Sequence, residues 1–533
     1  MPKFVVVVGS LMSGLGKGVV TASILKILQF YNYKVLPFKF DGYLNYDCGT
    51  MNPYRHGEVF VLNDKSEVDM DFGTYERFLG KDLTGASSLT GGKLFSEIVN
   101  DERKGMFLGQ DVQIIPHLTD RIIEKVEKVA KENRLDVLVI EVGGTIGDIE
   151  NSYFIEAMRQ LALKEKVVFI EVTYIPILKA VGEQKTKPSQ LAFKSLMQAG
   201  IIPNMVICRS ETPINEQTKK KLALFMNLNE KSIFDDSDLP SVYEVPIHLM
   251  DQGFDKVLLS ALGLGKEREI SRNKLAEWKS AVEKLEKPKK QVSIAIVGKY
   301  TALKDAYASV KEALNHAGAF LNTRIDIKWV EAEDIEKSKP EDFLSNVKGV
   351  IVPGGFGNRG IEGKIQAIRY AREHGLPYLG LCLGMQLMAI EYARNVCGLK
   401  GANSTEFDKR AKYKIIDLLP SQLKVVYKGG TMRLGAWEAR ITNKNSIAYA
   451  SYHSSKIFER HRHRYEFNNK YRKLLSSKGL KITATTPDKK LVEIIEWSNG
   501  LGIGTQAHPE LKSKLLKPAP LFVSFVKAAL SLK

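Results

Sequence analysis

A chain of 533 residues with 44% hydrophobic and 26% charged residues is long enough for more than one core and excludes the disordered and collagen-like classes. Four cysteines, Cys48, Cys208, Cys382 and Cys397, exclude a disulfide framework and are not spaced as metal ligands, and no apolar run reaches membrane-spanning length. The formal charge of +17 suits polyanionic nucleotide substrates or a lysine-rich solvated surface. Its densest run, Glu459 to Glu466, is interrupted by carboxylates and lacks a nucleic-acid motif. Neither nucleic acid nor membrane is therefore expected as a partner, and the expected compartment is the cytosol.

The opening residues read as a strand and not as a signal peptide. Phe4 to Val8 is a continuous apolar, β-branched run, as expected of a strand covered on both faces. A glycine loop follows, then helical spacing from Val19 to Phe30 with Ile24, Leu25, Ile27 and Leu28 grouped on one side. Further strand-like runs at Val35 to Phe38, Val137 to Val142, Val167 to Val172 and Met205 to Cys208 alternate with helical stretches, the clearest from Leu118 to Glu132. That alternation predicts a doubly wound α/β domain over residues 1–265. The charged stretch 266–291, ending in E-K-P-K-K, reads as an interdomain linker. A fresh strand from Val292 to Gly298 opens a second α/β series over 292–533. In it, Gly349 to Gly357 is strand and loop, and Pro377 to Gly380 leads into a cysteine turn.

The glycine loop is G-S-L-M-S-G-L-G-K-G, Gly9 to Gly18. Backbone N–H groups at the start of a helix cradle phosphate oxygens, and Lys17 balances their charge. The usual phosphate-loop pattern has glycine where Leu11 stands and a magnesium-binding hydroxyl where Gly18 stands. With that hydroxyl missing, carboxylates elsewhere must hold Mg2+; Asp71, in E-V-D-M-D-F-G, and Glu141, at the end of an apolar strand, are the candidates.

The second half carries G-L-C-L-G, Gly380 to Gly384, and much later H-P-E, His508 to Glu510. A nucleophilic cysteine needs a sharp strand-to-helix turn with small neighbours, which Gly380 and Gly384 supply around Cys382. His508 is the expected base and Glu510 its orienting carboxylate. The amide of Leu383 and that of Gly355 are the expected donors to the oxyanion. Together these groups suit amide hydrolysis through a thioester. A single chain with both halves would release ammonia at one site and join it to a substrate activated by ATP at the other.

Longer segments carry a family resemblance. S-G-L-G-K-G, K-F-D-G-Y-L-N-Y-D-C-G-T-M-N-P, D-F-G-T-Y-E-R-F, E-V-G-G-T-I-G-D-I-E and K-T-K-P-S-Q resemble the synthetase half of the CTP synthase family. G-L-C-L-G-M-Q, N-S-T-E-F, G-G-T-M-R-L-G and R-H-R-H-R-Y-E resemble its class I glutamine amidotransferase half. The resemblance implies a phosphate-loop, dethiobiotin-synthetase-like domain followed by a class I glutaminase domain. By position it assigns Lys17 and Lys39 to phosphates and Asp71 and Glu141 to Mg2+. It places Ser13, Lys185, Thr186, Lys187, Pro188, Ser189, Gln190 and Lys221 at UTP, and Asp148, Ile149 and Glu150 where CTP inhibits. Gly14, Leu15, Gly16, Gly18, Val19 and Leu239 complete the nucleotide-binding set. Glu406 and Arg464 bind glutamine, with Gly384, Met385 and Gln386 beside the nucleophile.

The resemblance also implies activation by GTP, a homotetramer, and an internal ammonia passage whose gate lies near His56. Departures are Cys48 for an expected proline, Asn52 for serine, Thr505-Gln506-Ala507 where an aromatic residue is common before His508, and Leu511 for phenylalanine. The activity implied is ATP-dependent amination of UTP with glutamine as nitrogen donor. An amidotransferase acting on a carboxylate, of the cobyric-acid type, is the alternative; K-T-K-P-S-Q and D-I-E count against it. A nucleotide-switched partitioning ATPase would leave Cys382, His508 and Glu510 without purpose.

Overall fold

Phe4 to Val8 are wholly buried, and the strand they form, Lys3–Gly9, lies near the middle of a parallel sheet. The computed structural model describes residues 1–178, 180, 182–265, 268–299, 303–419, 422 and 429–532. They divide into two compact units, Met1–Cys48 with Thr74–Val282, and Gly49–Gly73 with Glu283–Lys533. No helix among the described residues is long and apolar enough to cross a membrane.

In the first unit seven parallel strands stand in the order Ile233–Ser237, Met205–Ser210, Val167–Tyr174, Lys3–Gly9, Val137–Val142, Val35–Asp41 and Ser88–Thr90. Every strand therefore points its carboxyl end to the same edge, where ligands gather in open α/β sheets. The helix Lys17–Phe30 does more than bury one stripe: only Val19 and Gln29 escape burial. The reason lies in the stretch read as a linker. Residues Arg272–Glu286 form a helix whose Trp278 and Val282 are buried. Trp278 meets Phe30 edge-on at 6.4 Å, and Lys26 Nζ sits 4.4 Å over its indole. Its Nε1–H donates to Tyr243 O at 2.9 Å, so the ring is satisfied at both its polar and apolar ends. Residues 266 and 267 of that stretch lie outside the described set.

The second unit holds a nine-stranded sheet. Thr323–Glu331, Lys290–Gly298, Val350–Val352, Tyr378–Leu381 and Gly502–Thr505 run parallel. Val492–Glu496, Lys481–Thr485, Arg433–Ile441 and Lys456–His463 continue it antiparallel. The parallel part matches the α/β series expected from the sequence, and the antiparallel wing extends it.

Gly49–Gly73, which the sequence places within 1–265, groups with this second unit through specific polar contacts. Arg462 Nε pairs with Glu67 Oε1 at 2.8 Å and its Nη2 donates to Gly49 O at 3.0 Å. Arg460 Nε donates to Asn63 Oδ1 at 2.7 Å, and Ser309 N–H donates to the Glu58 carboxylate at 3.0 Å.

Candidate active sites

The glycine loop leaves the buried strand at Gly9, where a Cβ would lie 2.6 Å from Lys17 Nζ. Gly14 and Gly16 adopt φ of +77° and +84°, which glycine reaches without strain. Leu11, the position where the usual pattern has glycine, has φ +78°. The backbone thus keeps the glycine conformation with a leucine in it, at a cost of about 1–2 kcal/mol. Ser13 and Gly14 are exposed at the crest, Leu15 is buried, and Gly18 and Val19 lie in the first helical turn. Lys17 is buried, and its Nζ donates to Gly144 O at 2.7 Å, tying the loop to the segment after Glu141.

The register of the neighbouring strands pairs Lys39 with Glu141. Lys39 Nζ is 3.7 Å from Glu141 Oε1 and 3.9 Å from Asp41 Oδ1. The Tyr75 hydroxyl donates a short bond to Glu141 Oε2. Asp71 opens the helix Asp71–Leu79, and its N–H donates to Asp69 Oδ1 at 2.9 Å; by contacts it groups with the second unit and Glu141 with the first.

Asp148 precedes the helix Ile149–Lys164, and its Oδ2 accepts from Thr145 N–H at 3.0 Å. Asn151 Nδ2 donates to Gly143 O and Thr145 O, holding the loop shape, while Ile149 and Glu150 are exposed. Lys185 and Lys221 converge on one carboxylate: Lys185 first, by its hydrogen bond, then Lys221 hold Glu183 below the usual range. Thr186 and Gln190 bond side chain to side chain at 3.0 Å, Ser189 Oγ donates to Tyr174 O, and Lys187 is exposed beside Pro188 at the helix start.

Leu239 is half-buried in the loop after Ile233–Ser237. Beside it Arg209 pairs with Asp238 at 2.8 Å and lies 3.9 Å from the Cβ position of Gly16. Arg209 was not anticipated; its position at the carboxyl end of the strand Met205–Ser210 is the signal that could have found it.

In the second unit, register pairs Leu381 with Thr505 on adjacent parallel strands. Cys382 and the residues leading to His508 therefore leave neighbouring strand ends, and Cys382 N–H donates to Thr505 O at 2.8 Å. Cys382 has φ +50° and ψ −98°, a strained elbow before the helix Leu383–Asn395. Its two glycines are required by space. A Cβ on Gly380 would stand 2.7 Å from Gly384 C, and one on Gly384 would stand 2.1 Å from Val352 O.

His508 Nδ1 and Glu510 Oε1 are 2.7 Å apart. Burial works against a charged imidazole, but the Glu510 carboxylate and the Cys382 sulfur outweigh it and push His508 up to about 10. Gln506 Nε2 donates to Cys382 Sγ at 3.5 Å, and Gln386 Nε2 donates to Gln506 Oε1 and to Tyr465 O. Neither glutamine was given that role from sequence.

Cys382, His508 and Glu510 open on a cavity of about 340 Å³ lined also by Gly354, Gly355, Arg462, Asn52 and Glu58. Arg464 is not among its lining residues; it donates to Thr431 Oγ1 at 3.0 Å and to Gln422. Arg462 lines it instead, with its guanidinium 5.1 Å from the Phe356 ring centre. Glu406 is brought to the loop 353–357, its Oε1 accepting from Gly357 N–H at 2.9 Å. Leu383 and Met385 are buried in the first helical turn after Cys382, and Leu383 Cδ2 lies 3.7 Å from the Cβ position of Gly355.

Gly354 lies against both Cys382 and His508: a Cβ there would lie 2.7 Å from His508 Cε1 and 3.7 Å from Cys382 Cβ. Gly354→Ala is therefore expected to displace the imidazole and lower glutamine hydrolysis by about 100-fold, the usual scale for an ångström of misplacement. Synthesis from ammonium salt, measured alongside, is expected to persist. Unchanged hydrolysis would show that the pair tolerates that displacement.

Residues 3–264 match the family described as CTP synthase N-terminus, and residues 302–528 match glutamine amidotransferase class I. The CTP synthase of Caldanaerobacter subterraneus subsp. tengcongensis is 49% identical over 100% of this chain and 99% of its own length. That of Methanocaldococcus jannaschii is 46% identical, with 100% and 99% covered. The chain belongs to the CTP synthase family. Its reaction is that family's: a glutamine-dependent ligase converts UTP to CTP with ATP. A solved Trypanosoma brucei CTPS glutaminase domain with bound acivicin shares 38% identity, with TM-score 0.43, covering 45% of this chain and 95% of its own.

Proposed function

We propose the following division of labour among the residues of this CTP synthase family member. Residues 1–265 carry the synthetase and 292–533 the glutaminase, joined through 266–291. ATP phosphorylates the uracil O4 of UTP, turning a poor leaving group into phosphate; ammonia attacks C4 and phosphate departs. Lys17 and Lys39 clamp phosphate charge, the main requirement of a phosphoryl transfer. Glu141 and Asp71 are the proposed Mg2+ ligands. The donor set suits the ion: Glu141 is a buried hard-oxygen carboxylate at a strand end, and Mg2+ takes one or two carboxylates together with phosphate oxygens. Among the described residues no three or more His, Cys, Asp or Glu gather to hold a metal by themselves. Bound there, Mg2+ would offset the negative charge of the phosphates.

In the glutaminase half Cys382 attacks the amide carbon of glutamine, His508 passes the proton to the leaving ammonia, and the amides of Leu383 and Gly355 receive the oxyanion. Glu406 takes the ammonium of glutamine and Arg464 its carboxylate. The observation that carries this reading is the pairing of Leu381 with Thr505, which brings Cys382 to a histidine already held by Glu510. An absorbance assay of UTP conversion, run with glutamine and separately with ammonium salt, tests it. Both sources are expected to give CTP. Conversion from ammonium alone would overturn the glutaminase assignment, and conversion from neither would overturn the whole.

GTP as activator, CTP as feedback inhibitor and a homotetramer complete the proposal. Exposed Met106, Leu108, Ile114 and Ile115, close together in sequence, are apolar surface that subunit contact would cover. UTP and CTP share a triphosphate and differ at the base. Lys185, Lys187 and Lys221 are the proposed shared cations, with Ser13 and the rest of 186–190 around them, and Asp148 to Glu150 read the base end. Glu150→Ala is expected to relieve CTP inhibition more than it raises the UTP requirement. Lys187→Ala is expected to weaken both ligands by about 1–3 kcal/mol, the worth of a charge-assisted bond. Paired titrations of UTP dependence and CTP inhibition decide; equal weakening of both ligands by Glu150→Ala would remove the division.

A further inference from the structure

Lys364, on the helix Ile361–Glu373, is wholly buried, and its Nζ meets no hydrogen-bond acceptor among the described residues. A buried ammonium without an acceptor is costly, and packing does not call for one, because methionine fills similar space without charge.

Its surroundings indicate what the charge acts on. Nζ lies 4.0 Å from the Cβ position of Gly355, against the loop that carries the expected oxyanion donor. Lys299 Nζ holds the same loop by donating to Gly357 O at 3.1 Å. The N–H of Gly357 in turn donates to Glu406. The charged groups facing Lys364 are Lys299 after the strand Lys290–Gly298, Glu331 at the end of Thr323–Glu331, Arg359 before its own helix, and Glu406 after Ala402–Ser404. Those facing Glu406 are Lys299, Lys364 and Tyr465. Burial raises the Glu406 carboxyl, while the Gly357 N–H, Lys299 and Lys364 pull it back.

We propose that Lys364 is a positioning residue of the glutaminase, keeping Glu406 ionised and seated on the Gly357 N–H so that the ammonium of glutamine meets a carboxylate on a fixed loop. This rests on the assignment of Glu406 to the glutamine ammonium. The effect has a sign and a window. Burial and Lys299 lower Lys364 to about 7, so it is charged on the acid side of neutrality and loses its proton above. Glu406 needs an opposing charge only on the acid side, where it approaches protonation. Removing Lys364 therefore raises the Glu406 pKa and shifts the acid limb of activity upward. On the alkaline side the native lysine is neutral too, and the difference vanishes.

The test is glutamine hydrolysis by the full chain across both limbs of the pH profile, with KM and kcat separated, for the parent, Lys364→Met, Lys364→Gln and Glu406→Gln. Both Lys364 variants are expected to move the acid limb of kcat/KM toward neutrality by about half a pH unit or more, chiefly through KM, and to meet the parent on the alkaline side. A uniform loss at every pH would mean that Lys364 only packs its helix and would overturn the proposal, as would profiles that superimpose on the parent's. Glu406→Gln separates the two assignments. An unchanged glutamine KM there sinks the role of Glu406; a raised KM with unmoved Lys364 profiles sinks the role of Lys364 alone. Circular dichroism of each full-length variant reports its fold.

Discussion

Cys382→Ala is expected to abolish CTP formation from glutamine while synthesis from ammonium salt continues near the parental rate. On the proposed assignment the sulfur forms the covalent intermediate, and losing a nucleophile from a triad costs on the order of 10⁴-fold or more. The strained elbow is imposed from outside the residue, by Gly380, Gly384 and the bond from Cys382 N–H to Thr505 O, so alanine keeps the turn. The sulfur itself is met by Gln506 Nε2 and by Arg462 O, both in its own unit. The check is UTP conversion with each nitrogen source, beside direct measurement of glutamate release. Loss of both syntheses in a folded variant would contradict two separable chemistries.

Lys17→Ala is expected to suppress synthesis from either nitrogen source by about 10²–10³-fold, because both require the same activated uracil. The side chain is buried and already aimed along the loop, with Nζ on Gly144 O and its methylenes against Gly9. Its ammonium is thus held in place for the phosphate role proposed above. Alanine removes that charge and leaves the Gly144 carbonyl without this donor. Glutamine hydrolysis, measured without UTP, is expected to survive. Ammonium-dependent synthesis near the parental rate would mean that Lys17 is not the phosphate lysine.

Much of this was legible in the sequence, and for identifiable reasons. Phe4 to Val8 announces a strand covered on both faces because all five residues are apolar, and Gly14, Gly16 and Lys17 announce the loop because their backbone demands are local. Leu11 looked like a departure, and its φ of +78° lies in the region that glycine favours. The Arg272–Glu286 helix was hidden because its two buried residues, Trp278 and Val282, stand among charges, and what buries Trp278 lies far off in sequence at Phe30 and Tyr243.

The run from Arg460 to Arg464 reads as one basic patch, yet strand alternation splits it. Arg460 and Arg462 reach Asn63, Glu67 and Gly49, whereas His461 and His463 turn into a buried network with Arg433, Glu466 and Glu493. Burial, then the neighbouring Arg433, holds both histidines well below the usual range, so they stay neutral. Pairings of residues almost 400 positions apart leave no local pattern, which is also why the affiliation of Gly49–Gly73 could not be read from the sequence.

That affiliation has a consequence for anyone dividing the gene. A reading frame opened at codon 292 would encode the nucleophile, its histidine and its carboxylate, but not Glu58, Asn63 or Glu67. Arg460 would lose Asn63 while keeping Leu511 O, Arg462 would lose Glu67 and Gly49, and the cavity beside Cys382 would lose the wall formed by Asn52, Pro53, Glu58 and Val59. Such a fragment could retain the sulfur chemistry while presenting it in a differently shaped and wetter pocket. Kinetic constants taken from it would describe that pocket and not the one the whole polypeptide builds from two stretches of its length.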